Sequence, residues 1–333
     1  MKKFPLSHTF AILRGYRPWV VARYAEPAVA DLSRFLNFLE RRKLCDNTNR
    51  AVSSLVNNKL FFAQALGPWQ HLVPQNFCYL EGGQCYDLRG GGFDPVPLEQ
   101  VIAQEGGRFV LKPVGGTRSR GVHFVSMLDG QLLADGQPTD AHNVQQLADP
   151  VSGSILCRCL QQHPDVSAIF PDALMTLRIL TYYDDALGRG RILGGFARIG
   201  TNATAPFEAA SKGGLQAQID FETGTLHGAI TFAPQTWWSR PQRSYLDVHP
   251  DTGGRIKGMR IPHWDDLHAT LQQMIDALPI FQFTGWDFAI TPDAFAVIEA
   301  NDRPGTDTIQ YFRPLLDDAQ FRDFLIRHRM IRR

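Results

Sequence analysis

The sequence has no long uninterrupted apolar stretch and no excess of charge of one sign. Its 333 residues include 34 basic and 33 acidic side chains, a balance that produces no overall field to attract nucleic acid. No run approaches the roughly 20 apolar residues of a transmembrane helix, and Arg14 interrupts the N-terminal apolar stretch before a signal-peptide core could form. We therefore expect a cytoplasmic protein without membrane insertion or nucleic-acid binding, whose oligomeric state the sequence leaves open.

Cysteine is also scarce. The five cysteines follow no CxxC or zinc-type spacing, and an odd number suits a reducing compartment. Cys157 and Cys159 alternate within a predicted strand, so we expect both to point the same way and to pack as small core residues. The pattern predicts neither a zinc site nor a redox pair.

The N-terminal part is predicted to be helical. In residues 17–66, Leu32, Phe35, Leu36 and Leu39 follow an i, i+3, i+4, i+7 spacing, which places them on one helix face. A second helix is predicted over about 58–66, before Gly67 and Pro68.

From residue 108 onward the sequence pattern is typical of strands joined by turn sequences. An amphipathic helix near 267–278 and a last helix near 316–329 follow. Strands grouped in runs, apart from most helices, indicate an α+β fold. The predicted strands cover 108–112, 121–126, 154–160, 176–183, 190–199, 215–221, 227–232, 284–291 and 295–300.

A glycine-rich loop joins the first two of these strands. It contains Gly115, Gly116 and Gly121. The P-loop pattern fails because the residues after Gly121 are not Lys and Ser/Thr. The dinucleotide fingerprint fails as well, because a strand and not a helix follows the loop.

Cationic side chains accompany this loop, namely Lys112, Arg118 and Arg120. Such a loop can fold over a polyphosphate through backbone N–H groups and point charges. An ordinary hairpin turn with solvated arginines explains the same pattern, so the loop alone leaves both interpretations open. Lys112 favours phosphate binding, because it lies late in an apolar strand where an uncompensated ammonium group is costly.

The predicted hairpin near the C-terminus carries oxygen ligands. Asp287 and Glu299 are each six residues from Asp293 in the turn, so a symmetric hairpin places them opposite each other, and Asn301 shares the face of Glu299. Opposed like charges are destabilising unless something neutralises them. Oxygen ligands suit a hard cation such as Mg²⁺, so we expect a metal site, with pairing to nearby arginines as the alternative.

Together these features resemble the ATP-grasp superfamily, in particular the sugar-transfer-associated ATP-grasp proteins, which are relatives of α-L-glutamate ligases. The resemblance covers roughly residues 50–310, and its segments are loose individually but specific in order and spacing. They are 109–114, 176–179, 196–200, 212–214, 219–224, 249–252 and 285–291.

The resemblance implies an α+β ATP-grasp fold, in which two α+β lobes grip ATP between antiparallel sheets after a helical N-terminal region. It suggests a helical region over 1–70, a first lobe with the glycine-rich loop over 71–155, and a second lobe with the metal site and C-terminal helix over 156–333.

The resemblance also implies roles for individual residues. Lys112 and Lys59 match the lysines that hold the ATP phosphates, and Arg178 matches the arginine near the γ-phosphate or acyl-phosphate. Gly115, Gly116, Arg118 and Gly121 form the covering loop, the strand backbone at Cys157, Arg158, Cys159 and Leu160 reads adenine, and Asp287, Glu299 and Asn301 bind the metal. Two departures are Asn58, where related enzymes often have aspartate, and the lack of acidic residues at 157–162.

The implied activity is that of an ATP-dependent carboxylate–amine ligase, which uses Mg²⁺ or Mn²⁺ and proceeds through an acyl-phosphate. The family association points to sugar or surface-polysaccharide precursors, with small-molecule carboxylate and amine substrates. A kinase acting on a hydroxyl, and a non-catalytic nucleotide-binding partner of a glycosyltransferase, are the alternatives. Lys212 either contacts substrate or lies in a surface turn.

Overall fold

The computed structural model describes residues 13, 15–21, 23–24, 31–90, 92–116, 119–209, 212–232 and 243–331. Internal contacts divide the chain into two compact units. The loop unit comprises Ser54–Gln161 and Ala296–Glu299. The arginine unit comprises Met1–Ser53, Gln162–Phe295 and Ala300–Arg333. The predicted boundaries near residues 70 and 155 remain a prediction.

Strands and helices follow one another in the order expected of an α+β protein. The strands are β1 (Asn76–Glu81), β2 (Gln84–Asp87), β3 (Asp94–Pro95), β4 (Arg108–Pro113), β5 (His123–Leu128), β6 (Gln131–Ala134), β7 (Gln137–Pro138), β8 (Ser154–Arg158), β9 (Thr176–Asp184), β10 (Arg189–Ile199), β11 (Leu215–Ile219), β12 (Leu226–Phe232), β13 (Arg243–Leu246), β14 (Phe283–Ile290) and β15 (Phe295–Asn301). The helices are α1 (Pro18–Val21), α2 (Phe38–Thr48), α3 (Ser53–Asn57), α4 (Lys59–Ala65), α5 (Leu98–Glu105), α6 (Ala141–Gln146), α7 (Pro164–Ser167), α8 (Trp264–Ala277), α9 (Asp307–Gln310) and α10 (Ala319–Arg327).

The loop unit is built on an antiparallel sheet with the strand order β3-β2-β1-β8-β4-β5-β6-β7. Alternate residues of β4 are buried, and Phe109 and Leu111 pack in a core with residues of α5 and α6. Because side chains alternate across a strand, Lys112 projects from the face opposite this core. Lys112 therefore lies on the face of the sheet that α5 and α6 do not cover.

The arginine unit is built on a sheet with the order β13-β12-β11-β10-β9-β14-β15. Helix α8 contacts β9 and β10, and its apolar stripe, including Leu267 and Leu271, is buried. Another core joins Leu180 and Tyr182 of β9 to Phe321 and Phe324 of α10. Packing against these helices fixes the strands that carry the candidate site residues.

Several predictions of local structure are confirmed, and one is wrong. The α+β class is confirmed, as is the helix after Asn58, observed as α4. The helix predicted from the spacing of Leu32 to Leu39 is not formed. A 3₁₀ turn at Leu32–Arg34 and an extended Phe35 precede α2, and the Leu39 side chain is exposed. Phe35 and Leu36 are buried by tertiary packing of an irregular segment, which periodicity alone does not distinguish from a helix.

Within the part of the chain that the structure describes, no helix is long and apolar enough to cross a membrane. All five cysteines are free thiols, with Cys157 buried and Cys159 partly buried.

The start of α2 yields a prediction about stability. The Asn37 side chain accepts a hydrogen bond from the Glu40 N–H, and Glu40 accepts one from the Asn37 N–H, each at 2.9 Å. We expect Asn37→Ala to lower the free energy of unfolding by about 1 kcal/mol, because orphan N–H groups of the helix lose a partner. Urea unfolding measures the loss. Gln273→Ala on the exposed face of α8 serves as the control, and an equal effect in both variants would contradict the capping role.

Candidate active site

The most buried charge of the predicted site is the carboxylate of Asp287. Its side chain is 3% exposed. Arg178 lies directly opposite Asp287 in the β9–β14 ladder, and its Nε and Nη2 donate to the two carboxylate oxygens, the latter at 2.8 Å. Arg198 Nη2 lies 2.8 Å from Asp287 Oδ2. One carboxylate therefore holds two guanidinium groups.

Arg198 is fixed by further partners from the arginine unit. Its Nε donates to Thr176 Oγ1 at 2.8 Å, and its Nη2 lies 3.3 Å from Glu208 Oε1. Thr176 Oγ1 in turn donates to Glu208 at 3.1 Å. Buried charges are tolerated when they are paired and hydrogen-bonded. The network satisfies that condition and leaves the arginines little freedom to move.

The sequence predicts that a bound cation relieves the charge of Asp287, with pairing to nearby arginines as the alternative. Arg178 and Arg198 pair with this carboxylate, and the metal-ligand role of Asp287 remains a prediction. A carboxylate offers about four lone-pair sites, and guanidinium nitrogens occupy three of them, from Arg178 Nε and Nη2 and from Arg198 Nη2. Any further ligand of Asp287 would share the carboxylate with these guanidinium groups.

Gly285 allows the Arg178 side chain to lie flat across β14. A Cβ atom at this glycine would lie 2.7 Å from Pro304 Cβ and 3.2 Å from Arg178 Cδ. The carbonyl oxygen of Gly285 accepts a hydrogen bond from Asn301 Nδ2 at 3.3 Å. The predicted role of Asn301 as a metal ligand remains a prediction.

The turn between β14 and β15 closes through the Thr291 N–H, which donates to the Ala294 oxygen at 3.0 Å. The turn is therefore centred between Pro292 and Asp293 and not on Asp293. The direct opposition of Asp287 and Glu299 remains a prediction. Glu299 and Asn301 alternate along β15 and so share one face of that strand.

In the loop unit, Lys59 begins α4 and reaches the base of the glycine-rich loop. Its backbone N–H donates to the Val114 oxygen at 3.1 Å, and its Nζ donates to the Gly116 oxygen at 3.2 Å. Asn58 caps the helix by accepting the N–H groups of Leu60 and Phe61. Asparagine thus performs the capping role at the position where related enzymes often have aspartate.

Lys59 lies within electrostatic reach of two other predicted site residues. Burial lowers the pKa of Lys59, and the like charge of Lys112 lowers it further, whereas the carboxylate of Glu299 opposes both effects. Cys157 also lies near enough to act on Lys59. The loop unit therefore brings together Lys59, Lys112 and Glu299, which the sequence separates widely.

The glycine-rich loop is only partly described. Gly115 donates its N–H to Ser152 Oγ at 3.1 Å, and Gly121 has a φ of 67°. That φ favours glycine, and a Cβ there would lie 3.0 Å from Pro113 Cγ. Arg118 lies outside the described residues.

The strand predicted to read adenine is β8 with its exit. The N–H of Arg158 donates to the Gln75 oxygen at 2.9 Å and that of Cys159 to the Arg108 oxygen at 3.1 Å, so both groups are already engaged. The Arg158 side chain pairs with Glu105 and lies over the Phe77 ring, away from the face that carries Cys157. The roles predicted for these residues and for Leu160 remain predictions.

Lys212 is exposed in a short turn after β10, where its backbone N–H donates to the Ala209 oxygen at 2.9 Å. Its substrate role remains a prediction. Sequence reasoning missed Arg198 and Glu208 as site residues. Arg198 lies in segment 196–200, which resembles the family, and this was the signal that could have identified it. The sequence does not reveal that Arg198 pairs with Asp287 across the sheet.

Two antiparallel sheets and a lysine-bearing strand that leads into a glycine-rich loop accord with an ATP-grasp protein. The sequence profile of the sugar-transfer associated ATP-grasp family matches residues 41–314. The chain belongs to this family. No curated protein matches the sequence.

Three solved structures illustrate the proteins that this chain resembles. An N5-carboxyaminoimidazole ribonucleotide synthetase in its ADP complex is 12% identical, with a TM-score of 0.43 over 79% of this chain and 52% of its own. A RimK domain ATP-grasp protein from Sphaerobacter thermophilus is 12% identical, with a TM-score of 0.42 over 82% of this chain and 69% of its own. Biotin carboxylase from Campylobacter jejuni is 10% identical, with a TM-score of 0.45 over 87% of this chain and 55% of its own.

The chain thus spans about half the length of two of these proteins. Because the identities and TM-scores are low, family membership rests on the sequence profile.

The predicted metal ligands are oxygen donors. Among the described residues, no group of three or more His, Cys, Asp or Glu side chains is arranged to hold a metal ion. The predicted set has only two carboxylates, Asp287 and Glu299, with the amide oxygen of Asn301. Oxygen donors of this kind fit a hard cation that keeps water and phosphate oxygens as its other ligands.

The arginine–carboxylate network yields the second prediction. We expect Asp287→Asn to lower the free energy of unfolding by about 3 kcal/mol, because two largely buried guanidinium groups lose their shared carboxylate. Urea unfolding of the ligand-free protein measures this loss. Asp46→Asn is the matched control, since Asp46 pairs with Arg303 at the surface and such pairs contribute about 1 kcal/mol or less. A more stable Asp287→Asn variant would contradict the network and favour charge repulsion at Asp287.

Proposed function

We propose that this protein is an ATP- and Mg²⁺-dependent carboxylate–amine ligase that acts through an acyl-phosphate. The observation that supports the proposal most directly is the pairing of two ammonium groups in the loop unit. Burial lowers the pKa of Lys59 and Lys112 lowers it further, although the opposing effect of Glu299 is larger than that of Lys112. An anion bound at both lysines would offset the cost of burying Lys59.

A polyphosphate is the anion that best suits this surface. Lys59 Nζ donates to the Gly116 oxygen, so the ammonium group lies at the base of the glycine-rich loop, beside backbone N–H groups. Ammonium groups and loop amides together are the usual means of binding phosphates. We assign the α- and β-phosphates to Lys59 and Lys112, and the covering role to Gly115, Gly116, Arg118 and Gly121.

The arginine unit supplies a different part of the chemistry. Arg178 and Arg198 are positioned by Asp287 before any substrate binds, so their N–H groups need little reorganisation to stabilise developing negative charge. We assign them to the carboxylate that becomes phosphorylated and to the resulting acyl-phosphate. Lys112 shares this catalytic role on the phosphate side.

The remaining assignments follow the family resemblance. Glu299 and Asn301, with Asp287, would hold Mg²⁺ or Mn²⁺, which when bound neutralises phosphate charge during transfer. The backbone of 157–160 would contact adenine, and Lys212 would contact substrate. Sugar or cell-surface polysaccharide precursors are the substrate class that the family name suggests.

Two displacements complete the proposed reaction. A carboxylate oxygen attacks the γ-phosphorus, the bond to the β-phosphate oxygen breaks, and ADP leaves. An amine then attacks the carbonyl carbon, inorganic phosphate leaves, and the amine loses a proton as the amide forms. Holding the reactants in place supplies much of the rate enhancement, and exclusion of water protects the acyl-phosphate.

Hydroxylamine tests the reaction class. The protein is incubated with MgATP, hydroxylamine and an equimolar mixture of amino acids, dipeptides and hexuronic acids. We expect hydroxamate, measured by its ferric colour, together with equal amounts of ADP and inorganic phosphate, because an acyl-phosphate is electrophilic at carbon. A stable phosphorylated product without hydroxamate would identify a kinase and overturn the ligase proposal.

Thermal unfolding tests the nucleotide site. MgADP should raise the melting temperature of the wild type, since a ligand that binds only the native state stabilises it. Lys112→Ala should reduce this shift strongly, and Lys112→Arg should restore it poorly because a guanidinium group is a planar fork and not a compact charge. Lys257→Ala, which removes an exposed lysine paired with Asp247, is the control. An unchanged shift in Lys112→Ala would remove Lys112 from the phosphate site.

A further inference from the structure

Gln216 lies beside the arginine network of the candidate active site. It is directly opposite Arg198 in the β10–β11 ladder, and residues directly opposite in an antiparallel pair project to the same face with Cβ atoms about 5 Å apart. The Arg198 guanidinium group in turn contacts Asp287 and Glu208. Gln216 is therefore a neighbour of the groups assigned to the reacting carboxylate.

Within the described part of the chain, the side-chain oxygen of Gln216 has no hydrogen-bond partner. The residue is 4% exposed, and among the residues that the structure describes its Oε1 is buried without any donor. More than about 90% of buried polar groups in native proteins have a partner, and an unpaired one is destabilising. The fold alone gives no reason for an amide at this position.

Gln310 shows how a glutamine serves the fold of the same unit. It is 1% exposed, and its Oε1 accepts the Leu36 N–H at 2.7 Å. Its Nε2 donates to the Leu36 oxygen at 3.0 Å and to the Tyr24 hydroxyl at 3.2 Å. A structural glutamine thus uses both ends of its amide within the protein, whereas Gln216 leaves its acceptor unused.

The chemistry around Gln216 indicates what is missing. Arg198 carries only donors, so it offers nothing to an N–H group of a ligand. The nearby carboxylate of Asp287 is occupied by guanidinium nitrogens. A buried oxygen beside them is suited to a ligand that donates a hydrogen bond.

We propose that Gln216 is a substrate-binding residue whose Oε1 accepts an N–H of the attacking amine. The inference rests on the proposed ligase function, because that function supplies the amine. An uncharged amide acceptor orients the N–H and leaves the nitrogen lone pair for attack on carbon. A carboxylate at this position would instead favour the protonated amine, which has no free lone pair.

The test compares Gln216→Met with Gln218→Met. Gln218 is on the same strand and the same face, two residues away, and is partly exposed. Without ligands, Gln216→Met should raise the melting temperature by about 2–4 °C, since an apolar side chain of similar length removes an unsatisfied oxygen. In the hydroxamate assay with the same carboxylate mixture, the half-saturating hydroxylamine concentration should rise about tenfold, the size expected for one lost hydrogen bond. The shift produced by MgADP should stay as in the wild type, and Gln218→Met should match the wild type throughout.

Three outcomes would overturn the inference. A lower melting temperature of Gln216→Met would show that the amide is satisfied within the fold. If the wild type and Gln216→Met both form hydroxamate and reach half-saturation at the same hydroxylamine concentration, Gln216 does not belong to the amine site. The ligase function would still stand. Absence of hydroxamate with the wild type would remove the ligase function itself, and the amine assigned to Gln216 with it.

Discussion

The arrangement of the arginine unit depends on one carboxylate, that of Asp287. It joins Arg178 on β9 and Arg198 on β10 to its own strand, β14. Other features follow from this contact. Gly285 must lack a side chain because Arg178 and Pro304 approach it closely. Two arginines can be largely buried side by side only because an acid is shared between them.

The loop unit shows the opposite balance of charge. Burial lowers the pKa of Lys59, and the carboxylate of Glu299 opposes this effect more strongly than Lys112 adds to it. The arginine unit pairs its charges internally, whereas Lys59 keeps a cost of burial that a bound anion would reduce. We infer a division of labour in which matched arginines position the reacting groups and the two lysines bind phosphate.

Local structure was predictable where side-chain pattern and turn chemistry agree. Strand β4 could be inferred from its alternating apolar residues, and α4 from the cap at Asn58 and the stop at Gly67. The segment from Leu32 to Leu39 misled because its apolar spacing suits a helix, although tertiary packing buries Phe35 and Leu36 in an irregular chain. The sequence pattern centres the turn between β14 and β15 on Asp293, whereas the closing hydrogen bond centres it between Pro292 and Asp293. Composition does not reveal so small a shift.

The sequence by itself determined the fold class, the glycine-rich loop with its lysine, and the candidate oxygen ligands, because these depend on residue type and on spacing within one strand or hairpin. Only the tertiary structure decided which charges meet. Arg178 and Asp287 are 109 residues apart, and their contact depends on the register of β9 against β14. The same holds for Arg198 and Gln216, since one residue of slip would turn each side chain to the other face of the sheet. Long-range register assigns partners, and it is also what leaves the Gln216 oxygen without one.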